Sequence, residues 1–186
     1  MPLTTEHILP PLAGAIGIVA YAVLITGLLK TNIQQSFAAY MLWSMLDSIA
    51  TITTFLEGGN YWLPLSNTVG SFAVTILLIK KKQVSWSWVE TGTAALVTIC
   101  LLIWYAAGEQ AGIISSSVAV VIASVPQMVD TYKKPSATPT KAYMIFLIAN
   151  IVSLIAGKSW SMEERLYAAC SVFLCLVIVM FSLRKR

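Results

Sequence analysis

The sequence predicts an all-α integral membrane protein, with seven transmembrane helices forming two parallel three-helix bundles joined by a linker helix. Three observations predict it. Of 186 residues, 58% are hydrophobic and only 11% charged, whereas soluble domains carry about 25% charge. Seven apolar stretches approach or exceed the length a helix needs to cross a bilayer. Lys and Arg gather in alternate connections, the positive-inside pattern.

The stretches occupy 12–29, 37–56, 63–79, 86–107, 112–132, 140–157 and 166–183. The first is expected to be a span and not a cleaved leader. Its preceding "MPLTTEH" has no Lys or Arg, and "IGIVAYAVL" runs on without a cleavage pattern. The second carries Asp47 inside "AYMLWSMLDSIATITTFLEGG". The third opens on "LSNTVGSF" and closes on "IKKK"; the fourth starts at "WSWVETG". The fifth contains Pro126, whose missing N–H and ring clash with the preceding turn predict a kink. The sixth and seventh are uninterrupted, and the last ends on "RKR".

With the N-terminus outside, cytoplasmic connections hold Lys30, Lys80, Lys81, Lys82, Lys133, Lys134, Lys141, Arg184, Lys185 and Arg186. Only Lys158 and Arg165 fall outside, beside Glu6, Glu57, Glu109, Glu163 and Glu164. The net charge of +4 is therefore an orientation signal and no nucleic-acid patch. Trp62, Trp104 and Trp160 at one face, with Trp86 and Trp88 at the other, mark aromatic belts. Cys100, Cys170 and Cys175 form no CxxC or Cys/His cluster, so neither a disulfide nor a metal framework is expected. His7 lies in the outer tail, away from any relay across the membrane.

An internal repeat divides the chain. "FAAYMLWSMLDSIA" from Phe37 overlies "TKAYMIFLIANIVS" from Thr140 at a displacement of 103 residues, matching Tyr40 with Tyr143 and Asp47 with Asn150. Residues 1–83 make the first three-helix repeat, 84–111 the linker span and 112–186 the second repeat. Three spans reverse sidedness and the linker restores it, so the two repeats run parallel. Parallel repeats of this kind occur in transporters, with the substrate site at the repeat interface near the midplane.

At 123–157, "ASVPQMVDTYKKPSATPTKAYMIFLIANIVSLIAG" resembles the PQ-loop motif of the SWEET and PQ-loop transporter superfamily. The matching residues are Pro126-Gln127, Lys133 to Ser136, Ala142-Tyr143, Asn150 and Gly157. "LSNTVGSF" is similar to the family's N-x-x-G element through Asn67 and Gly70, and the resemblance implies that Asn67 lines the substrate pocket. It also implies a hinge at Pro126. Of four prolines common in the family only Pro126 is kept; Val23, Ala39 and Ala142 stand at the others, and Cys170 stands opposite Asn67.

A carboxylate at mid-helix costs about 2.5–3.5 kcal/mol on insertion scales, so Asp47 should face the bundle interior or a wet cavity. Tyr40, Ser44, Asp47, Thr51 and Thr54 share one helical face, and Tyr143, Asn150, Ser153 and Gly157 keep a similar phase. Such a stripe lines a path or locks helices together. On a path, Asp47 either binds a proton, coupling transport to the proton gradient, or stays ionised and recognises a cationic group. Asn150 offers donors and an acceptor to the same ligand. Asn67, Thr51 and Ser153 complete the expected site. Tyr40 and Tyr143 read as an inner gate or as belt aromatics, and Gln127 as hinge or packing amide. Asp130 is expected beside Lys133 and Lys134, and Glu90 beside a lysine of "IKKK".

The expected function is a facilitator or proton-coupled carrier of a small polar solute such as a sugar, amino acid or vitamin, by alternating access between the bundles. The alternative is a non-transporting receptor on the same scaffold. An enzyme is not expected: no span holds a Ser/His or Cys/His pair, and there is no glycine-rich phosphate loop. No cofactor is called for. Partners are the solute and the bilayer, with protons and further copies of the chain, as a homo-oligomer, left open. Small size and bare termini suggest a prokaryotic plasma membrane.

Overall fold

The computed structural model describes residues 5–184 except 32 and 34, without the side chains of 5–7, 89, 96, 100 and 109. Expectations placed on Glu6, His7, Cys100, Glu109, Lys185 and Arg186 lie outside that set. Among the described residues the chain is helical, with no strand. The helices are α1 (Thr5–Lys30), α2 (Phe37–Leu56), α3 (Trp62–Lys80), α4 (Trp88–Ala107), α5 (Glu109–Ala123), α6 (Val125–Lys133), α7 (Thr140–Ala156) and α8 (Met162–Ser182). A 3-10 turn, Pro135–Ala137, precedes α7.

Five segments are long and apolar enough to cross a membrane: Ile8–Lys30, Trp62–Lys80, Glu90–Ala107, Gln110–Lys133 and Met162–Ser182. The other two expected spans differ for local reasons. In α2, Asp47 and a run of Ser and Thr dilute an otherwise sufficient 20-residue helix. In α7, Pro139 before the helix and Gly157 after it hold the length to 17 residues, about the minimum that spans. Outward faces carry Val19, Ile52, Phe55, Val69, Phe72 and Leu102, all more than two-fifths exposed, a surface suited to lipid and not to water.

The packing order is simple. α3 packs against both α1 and α2, while α8 packs against α5–α6 and α7. The two groups meet where α1 runs along α7 and α2 along α5; α4 leans mainly on α5. α1 meets α3 closely at Gly70, where an added Cβ would fall 2.1 Å from the Tyr21 ring. Gly70→Val should therefore displace Tyr21 and lower stability by about 1–3 kcal/mol, read as a lower unfolding temperature in detergent. An unchanged melt would remove this contact from the account.

Helix ends explain several charges. α4 and α5 reverse through Gly108 at φ +84°, a region open to glycine and costly for other residues. Ser87 and Glu90 form a capping box at the start of α4. Glu90 Oε2 accepts from the Ser87 N–H at 2.8 Å and from the Ser87 hydroxyl. Glu90 thus serves its own helix, and the expected pairing with Lys80–Lys82 is replaced by this cap. Lys81 Nζ donates to the Leu28 carbonyl at the end of α1. Arg184 donates to the Tyr132 carbonyl in α6 at 3.0 Å and lies over that ring. At the opposite end, Arg165 donates to the carbonyls of Leu154, Gly157 and Ser159, closing the exit of α7. A cation at helix C-terminal carbonyls is favoured by both hydrogen bonding and the dipole.

Candidate functional site

Spacing brings the site together. On α2, Tyr40, Trp43 and Asp47 sit three and four residues apart, so they share a face. Tyr143, Phe146 and Asn150 repeat the interval on α7. Both triplets line one buried cavity of about 40 Å³, with Tyr21 from α1, Asn67 from α3, Val120 from α5, and Tyr167, Ser171 and Cys175 from α8. Asp47 and Asn150 are each 3% exposed. The space holds only a few water molecules.

A hydrogen-bond chain runs across this cavity. Asn67 Nδ2 donates to the Tyr167 hydroxyl at 2.8 Å, and that hydroxyl donates to Asp47 Oδ1 at 2.7 Å. Asn150 Nδ2 donates to the Phe146 carbonyl at 2.8 Å and reaches Cys175 Sγ at 3.3 Å. The carbonyl demands a donor, which fixes the orientation of the amide. Asn150 Oδ1 is then left buried with no protein partner. An orphaned acceptor in such surroundings is unfavourable by about 1–3 kcal/mol unless something else meets it.

The cavity is closed at the basic end by three side chains. The Tyr40 and Tyr143 hydroxyls meet at 2.9 Å, and Gln35 Oε1 accepts from Tyr143 at 2.8 Å and from Tyr40 at 3.3 Å. Gln35 also borders a wide vestibule of about 550 Å³ with Lys82, Asp130, Lys133 and Lys134 around it. At the opposite end, Asn60 Nδ2 from the α2–α3 turn donates to Ser153 Oγ on α7 at 3.2 Å. Beside it Gly59 lies so near the Glu163 carbonyl that a Cβ would approach to 2.8 Å. A second, shallower vestibule of about 220 Å³ begins at Asn60.

Between these closures the α5–α6 segment breaks at Ser124. Ser124 N bonds back to Val121 and not to Val120. The freed Val120 carbonyl accepts from the Ser124 hydroxyl at 2.7 Å and from Trp43 Nε1 at 3.2 Å. Pro126, two residues further, has no N–H to offer Ile122. Gln127 Oε1 accepts from the Ser36 N–H at 2.9 Å, and its Nε2 reaches Thr131 at 3.2 Å. The break is thus stitched to the start of α2 on both sides.

The expected residues sort clearly. Asp47, Asn150 and Asn67 line the cavity. Thr51 does not: it bonds the Asp47 carbonyl and Thr68. Ser153 lies with Asn60 at the closure instead. Tyr40 and Tyr143 are buried in the closure at the basic end, and Pro126 and Gln127 follow the break. From α8, Tyr167, Ser171 and Cys175 join Asn67 on the wall, while Cys170 is only half-buried and off it. Sequence reasoning missed Tyr167, Tyr21, Trp43, Gln35 and Asn60. For Tyr167 a signal was present, since Tyr167, Ser171 and Cys175 recur every four residues on α8. Gln35 and Asn60 lie in connections, where periodicity carries no information.

No family model, curated protein or solved structure matches the chain.

Proposed function

We propose that the chain is a seven-span membrane carrier for a small polar solute, moving it by alternating access between two parallel three-helix units. On this reading α1–α3 form one unit, α5 to α8 the other, and α4 the linker, with the basic connections on the cytoplasmic side. The observation that carries it is a cavity bearing Asp47 and Asn150 at the junction of the two helix groups, with side chains that cross that junction at each end. Tyr40 and Tyr143 close one end, Asn60 and Ser153 the other.

Other features support the reading. Tyr40 and Tyr143 stand 103 residues apart and touch; equivalent positions of two parallel copies meet only near the axis relating them. The contact of α1 with α7 corresponds to that of α5 with α2 under the same displacement. The Lys81 and Arg184 caps, on α1 and α6, are equivalents as well. With both closures made and only about 40 Å³ between them, the conformation corresponds to an occluded carrier. The Ser124 break and Pro126 supply a place where the second unit can bend.

The similarity to the SWEET and PQ-loop superfamily stands beside these points, on Pro126-Gln127, Tyr143, Asn150 and Asn67. Missing family prolines at Val23, Ala39 and Ala142 favour a receptor that binds without moving its ligand. Uptake of labelled solutes into liposomes containing the purified protein separates the two. Saturable uptake is expected; ligand binding with no flux would leave the receptor reading.

A further inference from the structure

Resting on the site reading above, we infer that the cavity takes a small cation with N–H donors and no carboxylate: an alkylammonium or guanidinium group. The inference comes from which hydrogen-bonding atoms are already used. Asn67 Nδ2 gives one of its two N–H groups to Tyr167, the Tyr167 hydroxyl is taken by Asp47 Oδ1, and Asn150 Nδ2 serves both the Phe146 carbonyl and Cys175 Sγ. The Tyr143 hydroxyl is taken by Gln35, and Trp43 Nε1 by the Val120 carbonyl. What remains for a guest is mostly acceptor. Asn150 Oδ1 is buried and unpartnered. Asp47 is engaged through Oδ1 alone, leaving Oδ2. Ser171 on the wall can give or accept.

Among the described residues no Lys, Arg or His lines the cavity, so the charge of an ionised Asp47 meets no counter-ion among them. The rings of Tyr21, Trp43 and Phe146 form its sides, and aromatic faces attract cations. An ammonium brings three donors and no acceptor, the complement of this wall. A sugar hydroxyl brings two lone pairs for each donor, and would set acceptors against acceptors. The carboxylate of a zwitterion would face Asp47 with no cation among the described lining residues to receive it. The tight space also suits a headgroup of a few heavy atoms better than a hexose ring.

The test uses the purified full chain in detergent and in liposomes. Thermal unfolding is followed with millimolar methylammonium, guanidinium, tetramethylammonium, glucose or glycine, against sodium chloride of equal ionic strength. Labelled guanidinium serves for flux, because it stays charged and does not leak as a neutral base. Methylammonium and guanidinium should raise the unfolding temperature saturably, and the other three should not. Asp47→Asn should weaken that binding at least tenfold. Cys170→Ala, on α8 but off the cavity wall, should keep it within a few-fold, and an unliganded melt of Asp47→Asn close to the parent's separates loss of charge from loss of fold.

Equal stabilisation by tetramethylammonium would overturn the donor requirement, and an unchanged effect in Asp47→Asn would overturn the role of the carboxylate. No saturable shift with either N–H cation would overturn the inference outright. If glucose or glycine moves while the cations neither bind nor move, the carrier stands and the cation site falls. Asp47-dependent cation binding without guanidinium flux would leave the cation site standing and remove the carrier.

Discussion

Asp47→Asn is expected to reduce solute uptake by roughly a hundredfold while the protein still folds. The amide keeps an oxygen for the Tyr167 hydroxyl, which lies 2.7 Å from Asp47 Oδ1, so the chain through Asn67 survives. What disappears is the only ionisable carboxylate among the described cavity-lining residues. A hydrogen bond to a charged group contributes about 1.5–3 kcal/mol, and every 1.4 kcal/mol is about tenfold. Asp47→Leu should behave differently, because it strands a buried tyrosine hydroxyl and lowers stability by about 1–3 kcal/mol. Uptake and unfolding temperature measured on both variants check the pair. Uptake in Asp47→Asn within twofold of the parent would remove Asp47 from the transport site.

Joining the closure at the Asn60 end should stop uptake altogether. Asn60 Nδ2 and Ser153 Oγ are 3.2 Å apart, and each side chain is held on a backbone that packs against the other unit. A disulfide between cysteines at both positions needs Cβ atoms within roughly 3.5–4.5 Å, and its formation is read directly from the oxidised protein by mass. The double variant is made in a chain with Cys100→Ala, Cys170→Ala and Cys175→Ser, the last keeping an acceptor for Asn150. Oxidation should reduce uptake to background, and a reductant should restore it. Full uptake in the oxidised, cross-linked protein would mean that this end does not open, and alternating access would fail.

Much of this fold is legible in the sequence because membranes reward regularity. Apolar length predicts spans directly, and Asp47 declares an inward face because lipid does not tolerate it. The same residue blurs the span that carries it, since α2 falls below the apolar threshold that α1 and α8 clear. The site was half legible. Tyr40 and Tyr143, or Asp47 and Asn150, follow from the repeat and helical phase together. Thr51 misled, because small hydroxyls in apolar helices satisfy themselves on the carbonyl one turn back, as Thr51 does on Asp47. Trp43 was hidden for another reason. An aromatic in an apolar helix gives no sign whether it meets lipid, packing or a polar neighbour until the partner helix is placed.

The central claim is that the two helix groups run parallel, so that equivalent connections lie on the same side of the membrane. Single cysteines at Thr31, Ser85, Ser136, Glu57 and Ser159, all exposed, can be labelled with a membrane-impermeant thiol reagent from each side of intact and inverted vesicles. Thr31, Ser85 and Ser136 should react only from the cytoplasmic side, and Glu57 and Ser159 only from the other. Thr31 and Ser136 reacting from opposite sides would contradict the account.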